Sequence, residues 1–221
     1  MTFWIEAKKY DVLPLDDRFS ERGDPSLRPS LIAGRTDFIY YAGTRIPEPS
    51  AVNTKNTSHT IIATIEVPQG RADGVLVAEG GVPGGYTLYI KDGKPVYEYN
   101  YFAHERYKIT SSQARSPGPA VIHVEFKYDG GIGKGGTASI FINDKKVAEG
   151  RIDKTFGGRF GAESFDVGMD NGSPVSEAYE PPFAYAGTIK TVKINIQPLA
   201  LNASEQQSIR DAEREVLLGM E

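Results

Sequence analysis

Five side chains have the types and positions to hold a polar ligand. Tyr89, Glu98 and Asn100 fall within "GGYTLYIKDGKPVYEYNY" (84–101), and His123 and Glu125 within "AVIHVEFKYD" (120–129). An aromatic ring can stack on a sugar while carboxylates, an amide and an imidazole bond its hydroxyls, which is the mix a small-ligand site requires. A second group lies in "FDVGMDNGSPVSEAYEPPFAY" (165–185), where Asp166, Asp170 and Asn171 gather around glycines. Calcium takes several oxygen ligands from such a loop, so these three are candidate ligands for a structural calcium ion. Their spacing matches no EF-hand, and Asx-Gly pairs also make ordinary turns.

Other chemistries are excluded or poorly served. The chain has no cysteine, hence no thiol nucleophile, disulfide or zinc–thiolate centre. Glycoside cleavage needs two carboxylates flanking one bond. The nearest strand, "HVEFKYD", has Lys127 between Glu125 and Asp129, where a central acid would belong. The glycine-rich "DGGIGKGGTAS" (129–139) lacks the lysine-hydroxyl ending of a phosphate loop and reads as a hairpin loop. The three histidines, His59, His104 and His123, share no metal-ligand spacing. No residue is assigned a catalytic role.

Alternation along the strands must position the candidates. Runs at 36–41, 58–67, 74–80, 107–110, 120–129, 137–144, 145–152 and 187–197, together with the 84–101 hairpin, alternate apolar and polar side chains between glycine- and proline-rich turns. That pattern predicts an all-β, antiparallel two-sheet jelly-roll sandwich. With Asp92-Gly93 at the hairpin tip, Ile90 faces Pro95, Leu88 faces Tyr97 and Tyr86 faces Tyr99. Tyr86, Tyr97, Tyr99 and Tyr101 then point into the core, and Tyr89, Glu98 and Asn100 to the outer face. Ile61, Ala63, Ile65, Val67, Ile122, Val124, Phe126, Ala138, Ile140 and Ile142 join the core by the same rule.

Three segments are expected: an N-terminal helix and linker over 1–34, the sandwich over 35–200, and an amphipathic helix over 201–221. The last is capped by Asn202 and Glu205, with Ile209, Ala212, Val216 and Met220 on its apolar face. Lys and Arg number 25 against 29 Asp and Glu, so there is no basic excess for a nucleic-acid partner. No apolar run reaches the ~18 residues of a membrane span, and the charged N-terminus does not read as a signal peptide.

Long phrases carry a family resemblance. "YDVLPLDDR" (10–18), "GTRIPE" (43–48), "SHTIIATIEVP" (58–68), "GGYTLYIKDGKPVYEYNYF" (84–102) and "PPFAYAGTIKTVKINI" (181–196) resemble the C-terminal region of large bacterial arylsulfatases, across nearly all of residues 3–200. The resemblance implies a concanavalin A-like sandwich that follows a sulfatase catalytic domain. It also implies a soluble bacterial protein whose partner is that domain. The family's C/S-x-P-x-R nucleophile motif has no counterpart here: "SPGPA", "SPVSE" and "SLRPS" all depart from it. The expectation is therefore a non-catalytic accessory domain with no cofactor beyond the calcium. The alternatives are a free-standing lectin-like carbohydrate-binding module with a glycan partner and, after it, a divergent glycan-cleaving enzyme. Self-association into a homo-oligomer stays open.

Overall fold

A computed structural model describes residues 2–10, 32, 34–70, 72–161 and 163–197. The chain separates into two units, one of residues 1–31 with 200–221 and one of residues 32–199. Within the first unit, Thr2–Lys9 forms helix α1, with Lys8 and Lys9 in its last turn, where cations suit the helix dipole. The expected C-terminal helix lies outside the described residues.

The second unit is an all-β sandwich of two antiparallel six-stranded sheets. Its strands are β1 (Asp37–Tyr40), β2 (Arg45–Pro47), β3 (His59–Val67), β4 (Gly74–Gly81), β5 (Gly84–Lys91), β6 (Lys94–Tyr101), β7 (Glu105–Thr110), β8 (Gly118–Tyr128), β9 (Lys134–Ile142), β10 (Lys145–Lys154), β11 (Ser164–Val167) and β12 (Thr188–Ile196). One sheet runs β1-β12-β3-β8-β9-β10, the other β2-β11-β4-β5-β6-β7. Neighbours far apart in sequence, such as β12 beside β3 and β11 beside β4, are the crossovers of a jelly roll. Two strands escaped the sequence reading. β2 has only three residues, and β11 sits at the head of the acidic stretch read as loop.

The hairpin register is the expected one: Ile90 pairs with Pro95, Leu88 with Tyr97 and Tyr86 with Tyr99. Strand β3 alternates buried and half-buried residues throughout its length, with Ile61, Ala63, Ile65 and Val67 inside. Ile122, Val124, Phe126, Ala138 and Ile140 meet them from β8 and β9, and Tyr86, Tyr97 and Tyr99 from the other sheet. Tyr101 and Ile142, at strand ends, are half-buried against this cluster. Full burial of each such side chain contributes about 1.5–3 kcal/mol, which makes this layer the main source of stability.

A second, smaller core lies outside the sandwich. The 168–187 connection from β11 to β12 crosses the outer face of β4, β5 and β6. There Val175 and Tyr179 pack on Val75, Ala78, Tyr89 and Val96, with Ala178 and Phe183 at the edge. The backbone ties this strap down: Val75 N–H donates to Phe183 O at 2.9 Å and Ala186 N–H to Asp73 O at 3.0 Å. Gly74, at φ +133°, permits the approach, because a Cβ there would stand 2.3 Å from Tyr185 Cα.

Candidate functional site

The five residues proposed as one ligand face do not form one. Tyr89, Glu98 and Asn100 belong to β5 and β6 of one sheet, His123 and Glu125 to β8 of the other, and both sets point away from the core. Two stacked sheets lie ~10 Å apart, so the sets occupy opposite sides of the sandwich. Alternation assigns a side chain to a face of its own sheet; which sheet a strand joins depends on long-range pairing.

Burial removes the first three as a sugar platform. Tyr89 is fully buried and Glu98 is 2% exposed, because the strap covers them. The Tyr89 hydroxyl donates to Glu98 Oε2 at 3.0 Å, and Ser176 of the strap donates to the same oxygen at 2.7 Å. The Tyr179 ring meets Tyr89 edge-on at 5.2 Å. Burial, with the Glu98 carboxylate beside it, pushes the Tyr89 phenol well above its ordinary range. Arg106 donates to Val175 O and pairs with Glu177, closing the strap from β7. Asn100 is a clamp between loops: its amide donates to Gly81 O and Val82 O, and its oxygen accepts from Ala103 N–H.

His123 and Glu125 lie half-buried on the open face of the other sheet. The His123 ring stacks on Phe141 at 5.0 Å, opposite Ile62 on β3. Glu125 stands between Thr60 and Ser139 in register.

The proposed calcium ligands are brought near one another but face protein partners. Asp166 accepts from Ser164 Oγ at 2.8 Å and from the Asn171 side chain at 3.2 Å. Asp170 turns inward, where Oδ2 accepts from Val175 N–H at 3.0 Å and Tyr179 Oη–H at 2.5 Å, while Oδ1 has no partner. Burial raises the Asp170 pKa to about 6, opposed by the Tyr179 and Val175 bonds and aided by the charge of Asp166. Among the described residues, no three His, Cys, Asp or Glu side chains converge as a metal-binding set. These side chains anchor the strap.

A different cluster, at one end of the sandwich, escaped the sequence reading. Beside the Glu48–Ser50 turn, an open cleft of about 270 Å³ is lined by Ile32, Pro49 and Ala51 and by Gly157, Gly158 and Arg159. Asn53 and Lys55 complete its wall, and the Asn53 side chain accepts Lys55 N–H at 3.1 Å in a local Asx turn. Gly157 and Gly158 leave space no other residue would, since a Cβ on Gly158 would stand 2.6 Å from the Phe156 ring.

The cleft floor is charged and buried. Lys55 Nζ stands 2.8 Å from Glu48 Oε1 and 3.1 Å from Glu79 Oε1, with all three side chains at most 8% exposed. Phe160 N–H points at both Glu48 oxygens, at 3.1 and 3.0 Å, and Lys55 Nζ lies 4.6 Å from the Phe160 ring centre. Burial raises the Glu79 pKa against the pull of Lys55; for Lys55, burial lowers the pKa but the Glu79 and Glu48 carboxylates outweigh it and raise it. Arg159 keeps its guanidinium 58% exposed at the rim, with Glu48 at 3.9 Å.

A small cavity of about 10 Å³ shares Lys55 with the cleft and is lined also by His59, Tyr86, Tyr97 and Phe160, among others. That is room for about one water. His59 Nε2, Tyr86 Oη and Glu79 Oε2 are buried without a hydrogen-bond partner. Burial lowers the His59 pKa to about 4, against the Nδ1 contact with Thr57 O. Nothing in the sequence distinguished Glu48, Asn53, Lys55 or Arg159, because pairs contributed by separate loops leave no spacing signal.

No family model matches the chain, and no curated protein matches it, so the arylsulfatase resemblance has no counterpart there. Solved structures do match in outline. The CBM40 domain of a Ruminococcus gnavus IT-sialidase, bound to α2,3-sialyllactose, is 13% identical over 79% of this chain and 96% of its own, with a TM-score of 0.48. A Caenorhabditis elegans galectin is 10% identical over 74% and 99%, at 0.43. Domains LG4-5 of the mouse laminin α1 chain are 12% identical over 76% and 43%, at 0.41. All three scores are below 0.5, and the fold rests on this chain's own strand order and register: the described sandwich is an all-β jelly roll of two antiparallel six-stranded sheets.

Proposed function

We propose that this protein is a non-catalytic, lectin-like module that binds a glycan in the cleft beside Glu48–Ser50. The cleft itself carries the reading. It is open, of about 270 Å³, and its lining combines apolar surface from Ile32 and Pro49 with polar groups from Asn53 and Arg159. A sugar has the same division, with C–H faces beside hydroxyls, and a guanidinium fork can bond two neighbouring oxygens at once. The two carboxylates at the floor are joined through Lys55 and are not free to flank a glycosidic bond. A glycan array followed by calorimetry tests the proposal. Arg159→Ala is expected to weaken binding about tenfold or more, the loss of one charge-assisted bond pair. A silent array, or binding indifferent to Arg159→Ala, would count against it.

A second reading, the accessory domain packing on a sulfatase catalytic domain, is favoured by the open face of the β1-β12-β3-β8-β9-β10 sheet. Ile39 is 53% exposed there, and in register Ile39, Lys193, Ile62, His123 and Phe141 form one row across it. Co-elution with a catalytic domain of the arylsulfatase family, lost in Ile39→Asp, would support this reading; separate elution would remove it.

A further inference from the structure

We infer that the Glu48, Lys55 and Glu79 cluster is a self-modification site, at which the Lys55 amine and the Glu48 carboxyl condense to an amide cross-link. Three observations converge on it. The first is contact: Nζ lies 2.8 Å from Glu48 Oε1, with the Lys55 side chain only 8% exposed. The second is the arrangement around the reacting carboxyl. Phe160 N–H is aimed at both of its oxygens, as an oxyanion donor would be, and the Phe160 ring lies over the amine. The third is the neighbouring acid. Glu79 holds one oxygen 3.1 Å from Nζ while its other oxygen has no partner, and a small cavity with room for about one water is lined in part by Lys55.

The step balances without an oxidant, a reductant or a co-reactant. A proton moves from the Lys55 ammonium to the Glu48 carboxylate along their hydrogen bond, which produces a neutral amine and a neutral acid. Burial pushes toward this exchange, since it removes two charges from a dry site, while the Glu79 and Glu48 carboxylates hold the ammonium form. Nζ attacks Glu48 Cδ, and the oxygen that becomes negative is met by Phe160 N–H. Glu79, whose carboxyl burial makes a better proton acceptor, takes a proton from the nitrogen and passes it to the departing hydroxyl. A C–N bond forms, a C–O bond breaks, and water leaves. The adjoining cavity can receive that water, offering His59 Nε2 and Tyr86 Oη as partners. Holding the groups in contact supplies the effective concentration that carboxyl and amine lack in solution.

Intact mass spectrometry of the denatured full chain is the test. The expected result is a mass below the sequence mass by one water. Trypsin should fail to cut after Lys55, and the resulting Ile46–Arg71 peptide should carry the deficit and give no backbone fragments between residues 48 and 55. Lys55→Arg and Glu79→Gln should both restore the full mass, with circular dichroism confirming the sandwich in each; because they alter different members of the cluster, either folded variant suffices. A folded wild-type chain at its full sequence mass would overturn the proposal. So would a deficit that maps elsewhere, such as Asp92-Gly93, or one that survives Lys55→Arg.

Discussion

The two outer faces of the sandwich are built from similar material and have different fates. On the face of β4, β5 and β6, Tyr89, Thr87 and Glu98 lie under the 168–187 strap and, like Asn100 beside them, are buried with their hydrogen bonds made inside the protein. On the face of β3, β8 and β9, no described segment lies over Ile62, His123, Glu125 and Phe141, which remain half-exposed. Strand alternation cannot tell these cases apart, because the cover comes from a segment about 80 residues away that has no strand pattern of its own. A polar residue on a covered face becomes structural; the same residue type on an open face is free to do something else.

Removing the strap's anchor should separate the faces most sharply. Tyr179→Ala takes away the ring against Tyr89 and the hydroxyl on Asp170, and should cost about 3–5 kcal/mol in urea unfolding. Phe141→Ala on the open face should cost under about 1.5 kcal/mol, since its ring is not enclosed. Comparable losses at the two positions would break the distinction.

Titration should sharpen it next, with opposite signs in strap and core. Asp170 is raised to about 6 in the folded state from an ordinary 3.8, so its contribution is complete below pH 3.8 and is lost as pH rises through 6. His59, between the sheets, is lowered to about 4 from 6.5, so its contribution is complete above pH 6.5 and is lost as pH falls through 4. Each is worth on the order of 2 kcal/mol. Relative to wild type, Asp170→Asn should therefore gain stability between pH 4 and 6, and His59→Gln should gain it from pH 6.5 down to 4. Matching slopes for the two variants would contradict the assignment.

Smaller effects complete the series. Tyr89→Phe loses one buried hydrogen bond and should cost about 1 kcal/mol, because Ser176 still serves Glu98. His123→Ala and Glu125→Ala should each stay within about 0.5 kcal/mol.

Much of the fold was legible for a definite reason. Period-two alternation and the Asp92-Gly93 turn fix hairpin register locally, and Tyr86, Tyr97, Tyr99, Ile61 and Ile122 lie inside as the pattern requires. Strands β2 and β11 were not legible, since three and four residues are too few to show a period. The site was less legible still. Lys55, Glu48 and Glu79 come together from a loop, a short turn and strand β4, with Lys55 and Glu79 24 positions apart, and only the fold makes them neighbours. The same limit explains why Tyr89 and His123, each correctly turned outward, were read as one surface.

Binding of the glycan that an array selects, measured by calorimetry on wild type, Arg159→Ala and the double variant His123→Ala/Glu125→Ala, tests the central claim most directly. The cleft account predicts that Arg159→Ala weakens binding about tenfold or more while the double variant binds as wild type does. Loss of binding in the double variant with Arg159→Ala unaffected would contradict it and move the site to the open face.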